Sequence, residues 1–81
     1  MQERLRLVRL EHGTDGDILI RFISMWGKID TQVSSIKDLI LEIGRLNPDA
    51  VEVDMSLYDR IGGIDTGKMI KDRLDVNAWF E

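Results

Sequence analysis

Gly62-Gly63-Ile64-Asp65-Thr66-Gly67-Lys68-Met69 is the stretch whose residue types and spacing come nearest to a recognisable chemistry. It fits the G-x-x-x-x-G-K pattern, in which backbone N–H groups wrap phosphates and the lysine reaches the terminal ones. Gly62, Gly67 and Lys68 are therefore the candidates for binding a phosphate. The pattern departs at Met69, where a serine or threonine would hold magnesium. The chain is also small for an NTPase and shows no separate acidic strand for the metal. A glycine turn feeding a helix accounts for the same residues with no ligand, so nucleotide or phosphate binding stands as an alternative function.

Other reactive side chains form no set. Glu52 and Asp54 alternate with valines, which is the pattern of a solvated strand face as much as of a carboxylate pair with Asp59 and Asp65 nearby. His12 is the single histidine and there is no cysteine, which excludes a disulfide framework, a thiolate site and a His/Cys metal set. No catalytic residue, metal or cofactor is expected. Trp26, Trp79 and Phe80 are expected in core or edge packing, with Trp79 and Phe80 also able to anchor a partner.

These residues need elements to position them, and the periodicity supplies them. Val51, Val53, Met55 and Leu57 alternate with Glu52, Asp54, Ser56 and Tyr58, which predicts a strand over residues 50–57. Thr66 to Leu74 reads as a helix, with Ile70 and Leu74 inward and Lys68 and Lys71 outward. A strand, a loop and a helix start in succession present free N–H groups to a ligand. Residues 4–10 alternate as a strand, although their leucines, arginines and the neighbouring glutamate also favour a helix that Gly13 could cap; the turn Gly13-Thr14-Asp15-Gly16-Asp17, leading into an apolar strand at 18–26, tips the reading to an antiparallel hairpin. Apolar residues on both faces of 18–25 predict an interior strand. Gly27 should end it and Asp30 or Thr31 should cap a helix over 32–46, with Val33, Ile36, Ile40 and Ile43 in its stripe and Asn47-Pro48 stopping it. The tail 76–80 could extend the second helix or form a short edge strand, and the alternation of Val76, Ala78 and Phe80 with Asp75 and Asn77 nearby favours the strand. The order is strand, strand, helix, strand, helix, strand, in one α/β domain over residues 1–81 with a single-layer mixed sheet.

Composition sets the broad class. The chain has 81 residues, 43% of them hydrophobic and 32% charged, which is globular and not disordered. A net charge of −4, without a basic stripe, argues against nucleic acid. No apolar run approaches the ~20 residues of a membrane span, and the N-terminus lacks the apolar core of a signal peptide. A cytoplasmic protein is expected.

Three short motifs resemble those of the STAS domain of anti-sigma-factor antagonists. Gly27-Lys28-Ile29-Asp30 is similar to the motif that opens that family's first helix, Val53-Asp54-Met55-Ser56 to the end of its third strand, and Ile64-Asp65-Thr66-Gly67 to its phosphorylated loop. The loop between the last two is about three residues longer than in the family, Asp-Thr-Gly is one residue shorter than Asp-Ser-Ser-Gly, and the family's last helix is not reached. The resemblance implies a non-catalytic binding switch whose loop and second helix dock a protein, weakened when the loop hydroxyl, here Thr66, is phosphorylated. Apart from the family, a phosphate is electrostatically welcome at a helix N-terminus, and a plain N-cap is the simpler role for Thr66. The expected partner-binding residues are Gly63, Asp65, Thr66, Lys68 and Lys71. A subunit of a larger assembly, a homo-oligomer included, is the remaining alternative.

Overall fold

A computed structural model describes residues 5–57 and 66–80. Five strands form one mixed sheet in the order β3-β2-β1-β4-β5. They are β1 (Leu7–His12), β2 (Ile18–Ser24), β3 (Gly27–Val33), β4 (Ala50–Val53) and β5 (Asn77–Phe80), joined with two helices, α1 (Ile36–Leu46) and α2 (Thr66–Leu74). The first three strands are antiparallel neighbours, while β4 lies parallel to β1 and β5 parallel to β4. The α/β class, the N-terminal hairpin, the interior position of residues 18–24 and the strand near the C-terminus all agree with the sequence.

Two expected elements change. Residues 27–33, expected to lead into and begin a helix, form β3, which pairs along its whole length with β2. Ile29, Thr31 and Val33 then fall opposite Phe22, Ile20 and Ile18. Their β-branched side chains suit this pleated surface better than a helix start. Val33 thus belongs to a strand and not to the helix stripe. The helix begins at Ile36 because Ser35 caps it, its side chain accepting a hydrogen bond from the Asp38 N–H at 3.1 Å. Asp30 and Thr31 cap nothing. At the other end Asn47 takes the left-handed conformation, φ 49°, and its N–H bonds Ile43 O.

The second change shortens the strand expected over 50–57. Asp54 N–H donates to Leu10 O at 2.9 Å, and the Leu57 N–H then turns back to Asp54 O at 2.9 Å. Met55–Leu57 therefore form a 3₁₀ turn.

Right-handed crossovers that move in one direction along a sheet place their helices on one face. Val8, Leu10, Ile20, Val51 and Val53 of the sheet pack there against Leu39 and Ile43 of α1 and Ile70 of α2, all fully buried. Leu57 closes the same core from the 3₁₀ turn. Ile40, expected in the inward stripe of the helix, is only half-buried, and Leu39 takes the central place. Arg6 ties the start of β1 to the end of α1: its N–H bonds Asp49 Oδ2 at 2.8 Å, and its guanidinium donates to Leu46 O. A cation near the last carbonyls of a helix is favourable. The radius of gyration, 11.9 Å, is that of a compact chain of this length.

Candidate functional site

The polar end of the sheet is where β1 and β4 finish. Open α/β sheets bind ligands outside the carboxyl ends of their parallel strands. Here a depression of about 100 Å³ is lined by His12, Asp17, Ile18, Ser34, Ser35 and Leu57. It combines the end of β1, the first hairpin turn and the N-terminus of α1. The turn is well held: Gly13 N–H bonds Asp17 O at 2.8 Å, and Gln32 Oε1 accepts from the Thr14 N–H at 2.8 Å. The depression is below the ~300–1,000 Å³ usual for a small-molecule site. Among the described residues no three acidic, histidine or cysteine side chains gather as a metal set.

The expected binding residues divide. Gly62, Gly63 and Asp65, with Asp59, lie outside the described residues. Thr66 and Gly67 open α2 as expected. Lys68 and Lys71 are exposed on that helix while Ile70 is fully buried, so the expected division of the helix into faces is present.

Glu52 stands on β4 and Asp54 just beyond its end. Glu52 lies on the sheet face away from the helices, where Arg9 Nε approaches its Oε1 to 3.0 Å. The same face carries a row of alternating charge. Arg9 Nε is 3.9 Å from Glu11 Oε2, Arg21 Nη1 is 3.7 Å from that oxygen, and Arg21 Nε is 3.1 Å from Asp30 Oδ1. The hydrogen bond to Asp30, then its charge and that of Glu11, raise the Arg21 pKa above its ordinary value. Arginines 9 and 21 face each other across β1 and β2, and the three carboxylates flanking them offset that repulsion. The row favours this strand order and register.

At the opposite end, the β2–β3 hairpin turns through Met25 and Trp26. Gly27 follows with φ 128°, a backbone that side chains rarely adopt. Met25 is 61% exposed, Trp26 81% and Ile29 63%. Trp26, expected in core or edge packing, is the most exposed large apolar residue described. Beside them Phe22 is half-buried under the Arg6 guanidinium, whose Cζ lies 5.6 Å from the ring centroid. On the last strand Trp79 is 42% exposed.

No family model, curated protein or solved structure matches the chain. Of the three STAS-like motifs, the structure moves one: Gly27–Asp30 runs in strand β3 instead of opening a helix. Val53 is the last residue of β4, with Met55 and Ser56 in the 3₁₀ turn, while Thr66-Gly67 open α2 and Ile64-Asp65 lie outside the described residues. The apolar hairpin end escaped the sequence because residues 18–26 read as one continuous strand. The signal that would have found it is Gly27 followed by the period-two run Ile29, Thr31, Val33.

Proposed function

We propose that this chain is a non-catalytic protein-binding domain, and that it binds through the β2–β3 end. The observation that supports this most is the exposure of Met25, Trp26 and Ile29, three large apolar residues within five positions. Tryptophan and methionine are enriched where proteins meet, and a tryptophan at a hairpin tip adds little to its own fold. The depression beside His12, at about 100 Å³, is below the size usual for a small-molecule site, which leaves the apolar hairpin end as the better support for a binding role.

The α2 opening is the regulatory side of this proposal, in the manner of a STAS-type switch. Lys68 and Lys71 present charge there, Gly63 and Asp65 precede it in the chain, and a phosphate on Thr66 would add nearly two negative charges at the helix start. A cytoplasmic location belongs to the same proposal, and the cysteine-free sequence is compatible with it. Among the described residues no helix is long and apolar enough to cross a membrane.

Affinity capture with the parent and with Trp26→Ser tests the binding surface. A protein retained at stoichiometric level by the parent and lost by a normally folded Trp26→Ser is the expected result. Equal retention by both would place binding elsewhere, and a Thr66→Glu variant that alone loses the partner would move it to α2.

A further inference from the structure

We infer that a partner of the β2–β3 end is a second copy of this chain, joined by antiparallel pairing of β3 with β3 about a two-fold axis at Ile29. This rests on the reading of that end as a protein-binding surface and names its occupant. The sheet order leaves β3 at an edge. Its outward backbone groups can be assigned. Gly13 N–H bonds Asp17 O, so hydrogen-bonded pairs in the first hairpin fall at Glu11–Leu19, Arg9–Arg21 and Leu7–Ile23. The alternate residues of β2, among them Ile20 and Phe22, then point their N–H and C=O groups to Thr31 and Ile29. Lys28, Asp30 and Gln32 are left with backbone groups directed away from the sheet.

Those three residues restrict the two-fold registers. Pairing centred on Asp30 sets two carboxylates opposite each other, and pairing centred on Lys28 sets two ammonium groups opposite each other; both are unfavourable. Centring on Ile29 places Lys28 opposite Asp30 of the second copy, and Asp30 opposite its Lys28. Each is a hydrogen-bonded pair, giving about four backbone bonds and two opposite-charge pairs. Ile29 meets its own copy in the closer, non-hydrogen-bonded kind of pair, covering a side chain now 63% exposed. Trp26 falls opposite Gln32 of the second copy. Lys28 makes no ion pair among the described residues, and Asp30, 47% exposed, meets Arg21 through both carboxylate oxygens, each of which keeps a further lone pair for a second cation. Centring on Thr31 sets Asp30 against Gln32, without opposite charges. Edge charges ordinarily keep sheets apart; here one register converts them into complementary contacts.

Sedimentation velocity from low-micromolar to near-millimolar protein tests this. The parent should move from the 9.3 kDa monomer toward twice that mass as concentration rises. Lys28→Glu alone and Asp30→Lys alone should each lose the dimer, since each sets like charges opposite twice. Mixed in equal amounts, the two variants should form a heterodimer. In it the glutamate introduced by Lys28→Glu faces the lysine introduced by Asp30→Lys, and the Asp30 kept by the first variant faces the Lys28 kept by the second. That rescue also requires both variants to be folded. A parent that stays monomeric throughout, or a dimer indifferent to both substitutions, overturns the inference. If the parent stays monomeric while Trp26→Ser still loses a captured protein, the self-pairing fails and the binding surface stands. If Trp26→Ser retains every captured protein as well, both fall.

Discussion

Three consecutive residues of α1 report how that helix sits on the sheet. Successive side chains are about 100° apart around a helix, so one face cannot hold all three. Leu39 is fully buried, Ile40 half-buried and Leu41 62% exposed. Leu39 belongs to the one buried cluster that joins the sheet to Ile43 and Ile70 of the two helices. Leu39→Ala should therefore cost about 3–5 kcal/mol, in the upper part of the range for such truncations. For a domain of this length that is a drop in Tm of roughly 18–30 °C, at about 6 °C per kcal/mol. Ile40→Ala should cost about 1–2 kcal/mol, since its exposed side already faces water. Leu41→Ala should stay within about 0.5 kcal/mol. Urea unfolding followed by circular dichroism, with equal slopes for all variants, gives the three differences directly. An Ile40→Ala penalty larger than that of Leu39→Ala would mean that the helix is rotated about its axis from the orientation described.

Other substitutions separate local contributions. Gly44→Ala should stabilise the fold by about 0.5–1 kcal/mol, because the added methyl meets only Leu74 Cδ2 at 3.6 Å and a glycine inside a helix is unfavourable; thermal melts read this. Ser35→Ala should lower stability by about 1 kcal/mol through loss of the hydrogen bond from Asp38 N–H, and chemical denaturation measures it. Magnesium with ATP or GTP should give no saturable heat in calorimetry. Low-micromolar binding that Lys68→Ala abolishes would instead restore the phosphate-loop reading of Gly62 to Lys68.

The periodicity of the chain carried much of this fold. Ile36, Leu39, Ile43 and Leu46 keep helical spacing, so α1 was legible, whereas Leu7-Val8-Arg9-Leu10 alternates imperfectly and only the turn and apolar run after it decided β1 for a strand. The boundary before α1 was not legible. Val33 stands three residues before Ile36 and fits the helical stripe by number, yet its cross-strand partner is Ile18. Only pairing with β2, a contact distant in sequence, decides for the strand. Met55 and Leu57 likewise keep a period of two after β4 has ended, because a 3₁₀ turn buries Leu57 and exposes Met55. For the site, glycine content drew attention to Gly62–Lys68, whereas the exposed end arises from a hairpin whose turn residues, Met25 and Trp26, are not ordinary turn formers. Burial of tryptophan is the usual expectation, and composition contains nothing to reverse it.

Backbone amide exchange along β3, resolved by NMR with and without a bound partner, tests the proposed surface most directly. In dilute protein the outward amides of Lys28, Asp30 and Gln32 should exchange quickly, and those of Ile29, Thr31 and Val33, bonded to β2, slowly. When a partner or a second copy is bound, protection should appear at Lys28 and Asp30, and the Trp26 indole signal should shift. Saturating binding that leaves these signals unchanged while protecting α2 or the charged sheet face would contradict the account.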